Sequence, residues 1–332
     1  MKANIKFNIL LFIFCSLSRW GVCSDLPKDS IRIYLHDALD LMKKRSVNSK
    51  KLDWDEIYKK SDEAIADAKT IRDTYPAIQK ALNLLNDQHS KFFTPEMVRD
   101  YVLGYRATGQ KFPEIKARII DNQYAYLALP AFYSYNFKEW NEFVDTFYRK
   151  MHTLQKQHPK AWILDLSDNE GGMFFPMLAA ISPLLDRQNV IGWKDGMGNN
   201  HFINYKDNRI YDDRVAVHLF QLMQPKPKIR TDKVIVIING VTASSAEFAA
   251  VSFVGQKNVS FFGTKTNGLT SANQEHKLSD GAFLVLTEGN TIDRNQKEYA
   301  EIGRGVSPDY KIEWLDGENQ HLEKVIQLLK AK

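Results

Sequence analysis

Ser244 is the residue most directly equipped for chemistry. It stands in Asn239-Gly-Val-Thr-Ala-Ser-Ser-Ala-Glu247, after the Val- and Ile-rich run 233–238 and before a segment with helical spacing through Ala250 and Phe253. An unbroken apolar run is the habit of a strand covered on both faces, as in parallel α/β sheets. A hydroxyl at such a junction lies at the carboxyl end of a strand and over the positive end of a helix dipole, where a developing oxyanion is stabilised. Ser244-x-x-Glu247 also reads as a capping box, an ordinary way to begin a helix. A serine is a weak nucleophile without a base beside it, and histidine, with an unperturbed pKa of about 6.5, suits that task near neutrality. His36, His152, His158 and His321 fall on helical stretches, and His201, His218 and His276 in loops or hairpin edges without motif context. His89 follows a helix in Leu85-Asn-Asp-Gln-His-Ser90, where on its own it reads as a complement to the helix carboxyl end.

The elements that must position these residues alternate in type. From Ser30 to about Leu103 the spacing is helical, with Ile31, Tyr34, Leu35, Ala38 and Met42 on one face. Asp53-x-x-Glu56 caps a second helix, and Thr74 and Pro76 open a third that ends near Asn86. Segments 117–120 and 123–129 predict a hairpin turning at Asp121-Asn122. A long amphipathic helix carrying Trp140, Phe143, Val144, Phe147, Met151 and Leu154 follows, then a strand over 161–166 and a helix through Leu185. The Ser244 strand comes next, then a strand over 260–262, a hairpin around Ser279-Asp-Gly281 and a last helix near 322–329. This order predicts an α/β core, residues 113–332, behind a small all-helical amino-terminal domain, residues 25–112, that carries His89.

Residues 1–24 read as a secretory signal: Lys2 and Lys6 precede the apolar run 9–17, and Gly21-Val-Cys-Ser24 supplies small residues. Arg19 and the shortness of the run argue against a membrane span, which needs about 20 apolar residues; a retained anchor or a lipid on Cys23 are the lesser alternatives. The expected location is therefore exported: periplasmic, extracellular or cell-surface. Removing three basic residues with that segment lowers the net charge from +5 to +2, which gives no electrostatic case for nucleic acid or anionic lipid. Both cysteines, Cys15 and Cys23, lie in the signal, so disulfides, cysteine nucleophiles and cysteine metal clusters are excluded from the mature chain. No HExxH, P-loop, GxGxxG or GxSxG string is present, and neither a cofactor nor a metal is expected.

Four strings, in order, resemble the tail-specific, or C-terminal-processing, serine protease family. They are Ile163-Leu-Asp-Leu-Ser-Asp-Asn-Glu-Gly-Gly172, the Ser244 segment, Gly263-Thr-Lys-Thr-Asn-Gly268 and Gly305-Val-Ser-Pro-Asp309. The resemblance covers about residues 117–312. It implies a β/α core related to the Clp protease and crotonase superfamily, with Ser244 as nucleophile. Most members place a lysine base after the Thr-x-Gly; here that position is Leu269. Lys265 is no substitute by slippage, since four strand residues displace it by about 13 Å. The segment around His89 resembles the Asp-x-His-Ser loop of the lysine-free branch, which implies His89 as base. Some members of that branch orient the histidine with a glutamate shortly before the Gly-x-x-Pro-Asp string, which implies Glu301, with Glu298 in reserve. The oxyanion hole needs two backbone donors near 3 Å from the charge: Ser245 N–H, next to the nucleophile, and one of Gly171 or Gly172, where an absent side chain allows close approach.

Many relatives insert a PDZ module, which would need roughly three times the 28 residues between His89 and Ala117. In Thr242-Ala-Ser-Ser-Ala-Glu247 and the His89 loop the chain resembles the nisin-resistance proteases, which are short, exported and without a PDZ domain. The expected function is an exported serine endopeptidase acting on peptides or unfolded protein tails through an acyl-enzyme. The alternative, motivated by Leu269, is a catalytically silent peptide-binding protein on the same scaffold. The resemblance also suggests that His89 enters from a helical wall, which would close on the core about a hinge near residues 111–114.

Overall fold

The computed structural model describes residues 28–300, 303–312 and 320–330. Helices α1 (Lys28–Arg45), α2 (Trp54–Ala64) and α3 (Tyr75–Leu84) lead to a short strand β1 (Lys91–Phe93) and helix α4 (Pro95–Ala107). Then come β2 (Ala117–Ile120), β3 (Tyr124–Ala128), α5 (Phe137–Gln155), β4 (Ala161–Asp165) and α6 (Phe174–Ile181). Four strands follow: β5 (Ile191–Asp195), β6 (Asn200–Lys206), β7 (Arg209–Asp212) and β8 (Val215–Leu219). The chain continues with β9 (Val234–Ile238), α7 (Ser245–Val251), β10 (Val259–Gly263), β11 (Ser271–Lys277), β12 (Phe283–Asp293), β13 (Glu298–Tyr299), β14 (Tyr310–Lys311) and α8 (Gln320–Lys330).

Two sheets organise these elements. The first runs β14-β10-β9-β4-β3-β2 and is parallel except for the β2–β3 hairpin. Its central strand β9 explains the unbroken apolar run. Val234, Val236 and Ile238 pack into the cluster formed with α5, α6 and α7, while Ile235 and Ile237 pack with Val325 and Leu329 of α8 on the other face. The second sheet is antiparallel, β1-β12-β5-β6-β7-β8, with β11 and β13 also paired to β12.

This is the α/β architecture expected, with two differences. The amino-terminal region is not purely helical: β1 pairs with β12, Lys91 opposite Val285 and Phe93 opposite Phe283. Helices α1 to α3 share one apolar cluster with Leu278, Ala282, Leu284 and Leu286 of the β11–β12 hairpin. The helical region and the hairpin are therefore one packed unit, which removes the basis for a wall swinging about residues 111–114. The meander β5 to β8 is the second difference. Strands β6 and β8 are mostly half-buried or exposed, so their sequences carry little of the alternation that marks a strand. The signal segment and Glu301 lie outside the described residues. Among the described residues no helix is long and apolar enough to cross a membrane.

Candidate active site

The β9–α7 junction presents Ser244 in a strained turn. Its backbone sits at φ 51°, ψ −121°, a conformation that costs a non-glycine residue on the order of 1–3 kcal/mol. Surrounding bonds hold it there. Thr242 Oγ1 donates to the Leu166 carbonyl at 2.9 Å and accepts from Asn239 N–H at 3.0 Å, tying the turn to the end of β4. Glu247, fully buried, accepts from Ser244 N–H at 3.2 Å and Gly268 N–H at 2.8 Å, and also from Thr266 Oγ1. Burial pushes its carboxyl pKa up, against those hydrogen bonds. The acid of the expected capping box thus also staples the 266–268 loop to the Ser244 turn.

His89 meets this turn from the other sheet. Its Nε2 lies 3.0 Å from Ser244 Oγ, across 155 residues of sequence, and its Nδ1 lies 2.7 Å from Ser271 Oγ at the start of β11. The ring is buried, and its loop is pinned. Asp87 accepts from His89 N–H at 3.1 Å and Ser90 N–H at 2.7 Å, Ser90 Oγ accepts from Thr287 N–H at 3.0 Å, and Asn273 Nδ2 donates to the His89 carbonyl at 3.1 Å.

The polarity of this network is consistent with one tautomer. Because Asn273 Nδ2 donates to a carbonyl, its Oδ1 faces Thr287 and accepts from Thr287 Oγ1 at 3.0 Å. Thr287 Oγ1 is then left to accept from Ser271 Oγ, at a long 3.5 Å. In that tautomer Ser271 Oγ, its own proton directed to Thr287, accepts from His89 Nδ1–H, and Nε2 carries the lone pair that faces Ser244. Burial, and secondarily the nearby Lys91 charge, pushes the His89 pKa down to about 4, so the ring is neutral at ordinary pH.

Two backbone N–H groups in the segments that meet at Ser244 have no acceptor among the described residues: those of Ser245 and Gly172. Gly171 differs from the expectation that either glycine could donate, because its N–H is committed to Asn169 Oδ1 at 2.9 Å. Its contribution is space: a Cβ there would lie 2.9 Å from Ser244 Cβ and 3.2 Å from Ser245 N. Ser245 Oγ donates to the Gly172 carbonyl at 2.6 Å, which locks the glycine loop to the start of α7.

Residues 123–312 match the sequence profile of Peptidase family S41. The chain belongs to that family. It is accordingly a serine-type peptidase with peptide or protein substrates. This S41 peptidase is 27% identical over 330 residues to the nisin-resistance protein of Lactococcus lactis subsp. lactis, an alignment covering 95% of this chain and 98% of the relative. Its fold is similar to that of a lipoprotein from Streptococcus agalactiae, with TM-score 0.74 and 23% identity over 98% of this chain and 99% of the other. The photosystem II D1 C-terminal processing protease is also similar, with TM-score 0.57 and 15% identity over 86% and 93% of the two chains.

Within the S41 site, the residue beyond the histidine is where reading the sequence and the geometry part. Glu301 lies outside the described residues. Glu298, the reserve, bonds Lys194 Nζ and Asn290 Nδ2, both at 2.7 Å, and does not reach His89. Ser271 occupies that place, and nothing in its type or neighbours marked it. Lys265 is exposed and donates to the Gly303 carbonyl at 2.9 Å, so it supplies no base. No group of three or more His, Cys, Asp or Glu side chains is arranged to hold a metal among the described residues.

Proposed function

We propose that this S41 peptidase is an exported endopeptidase that works through a Ser244–His89 dyad and an acyl-enzyme. The observation that carries the reading is the 3.0 Å contact between His89 Nε2 and Ser244 Oγ. As Ser244 Oγ attacks the scissile carbonyl, Nε2 takes its proton. Ser245 N–H and Gly172 N–H receive the oxyanion. His89 then returns the proton to the departing amine, leaving Ser244 acylated, and the same ring activates the water that releases the acid.

Ser271 holds the ring and its tautomer through a neutral bond. A carboxylate at that place would stabilise the imidazolium; a hydroxyl does so only weakly, which fits a histidine kept neutral by burial. The silent-scaffold alternative rested on Leu269, and a base delivered from the β1 side removes its motive. Likeness to a nisin-resistance protein and to a lipoprotein structure supports an exported location, and makes a nisin-type peptide the first substrate to try.

The test is covalent labelling with a fluorophosphonate and mapping of the adduct. Ser244 should be labelled, and His89→Ala should lose most of that labelling. A wild-type protein that is folded yet carries no adduct on Ser244 would refute the dyad.

A further inference from the structure

A cavity of about 280 Å³ opens between α4 and the chain at Tyr133 and Ser134, beside the oxyanion loop. Gly104 gives it its shape. That residue breaks α4 at φ 82°, and a Cβ there would lie 2.3 Å from Glu139 Oε2 and 2.7 Å from Ser134 Oγ. Buried Glu139 accepts from Tyr105 N–H at 3.0 Å and Arg106 N–H at 2.9 Å, capping the helical turn that restarts after the break. The kink is thus fixed, and it turns Tyr101 and Tyr105 toward Tyr133.

The lining is aromatic and acidic. Tyr101, Tyr105 and Tyr133 supply three rings, Asp100 supplies a carboxylate, and no lysine or arginine lines the space. Asp100 is half-exposed, and its ion pair with Arg99 is a marginal 3.5 Å. The neighbouring cation Arg106 is bonded to Glu142 and lies over the Phe112 ring. Burial and an adjacent Glu170 carboxylate push the Tyr133 phenol pKa up, and burial does the same for Tyr101, so both rings stay neutral.

The cavity also adjoins the chemistry. A Cβ on Gly172 would lie 3.1 Å from the Tyr133 ring, and one on Gly171 would lie 2.9 Å from Ser244 Cβ. The cavity wall is therefore one residue along from the glycine that abuts the nucleophile.

We infer that this cavity is a specificity subsite for a lysine or arginine side chain of the substrate, within two residues of the scissile bond; the inference rests on the peptidase reading above. The aliphatic stem lies among the tyrosine rings, where cation–π attraction adds to burial, and the charged head reaches Asp100. The experiment maps cut sites in a peptide mixture by mass spectrometry. It then compares matched peptides carrying Lys, norleucine or Glu at the selected position.

Lys and Arg should be enriched at one fixed position, and Lys should exceed norleucine in kcat/KM by about five- to tenfold, mostly through KM. Asp100→Asn should bring that ratio near one, and Asp100→Lys should invert it in favour of Glu. A wild-type enzyme that cuts without basic preference, or a preference unchanged in Asp100→Asn, overturns the inference. Peptide affinity for Ser244→Ala separates the two readings. If wild type neither labels nor cuts, the peptidase reading falls, and equal binding of the Lys and norleucine peptides would overturn the subsite as well.

Discussion

Burial of His89 gives the proposed dyad an unusual pH dependence. An unshifted histidine would be only about 9% neutral at pH 5.5, whereas a ring with its pKa near 4 would be about 97% neutral there. The Ser244–His89 dyad should therefore keep nearly full reactivity about two pH units below the point where an exposed dyad fades. The second-order rate of fluorophosphonate labelling, followed from about pH 3.5 to 8, reports the free enzyme directly. Its acid limb should be half-maximal near pH 4 to 5. Lys91→Gln should lift that midpoint, because the Lys91 charge is the second cause of the depression. Folding should record the same ring. Between its unfolded pKa of about 6.5 and its folded pKa of about 4, the unfolded chain binds the proton and the folded chain does not. Stability from this group is thus complete above pH 6.5 and lost as pH falls through 4, a loss of about 3 kcal/mol. Urea unfolding of wild type against His89→Gln across that window measures it. A labelling midpoint at pH 6 or above, or no difference in the pH dependence of unfolding, would refute the claim that burial holds the ring neutral.

Other perturbations separate the remaining parts of the site. Ser271→Ala removes the acceptor for Nδ1–H and the bias on the tautomer, and should slow labelling by about tenfold, the worth of one buried neutral hydrogen bond. Gly171→Ala forces a methyl against Ser244 Cβ at a φ of 112°, and should lower kcat by about a hundredfold while circular dichroism shows a folded protein. Glu247→Ala strands the Ser244 and Gly268 N–H groups in a buried site, and should lower unfolding free energy by about 3 kcal/mol along with activity. Lys265→Met should leave kcat/KM within about twofold of wild type, since its ammonium only meets the exposed Gly303 carbonyl.

How legible the site was depended on whether a residue's role left a mark on its neighbours. Ser244 was readable because a doubly covered strand, a tight turn and a helix start each impose their own pattern on the chain. His89 was readable through the resemblance of its loop, where Asp87 accepts from the His89 and Ser90 N–H groups. Ser271 was not, because a neutral hydroxyl needs no charged or glycine-rich surroundings, and its contact spans 182 residues. The choice between Gly171 and Gly172 was also closed to reading along the chain, since it turns on which N–H meets Asn169 Oδ1. The meander β5 to β8 escaped for a different reason: β6 and β8 are mostly half-buried or exposed, and a bulge between Ile210 and Tyr211 interrupts the β7–β8 register, which blurs the period.

The pairing of β1 with β12 has a consequence for when the enzyme becomes active. His89 is emitted early in the chain, yet its orienting partners Ser271, Asn273 and Thr287 come from the hairpin near the other end. Contacts of such sequence separation form late, because the loop that joins them must first be closed. A growing chain therefore holds a serine and a histidine that have not met, and it is chemically inert toward its neighbours. Reactivity arrives only when the second sheet is complete, so the topology itself delays proteolysis until folding has nearly ended.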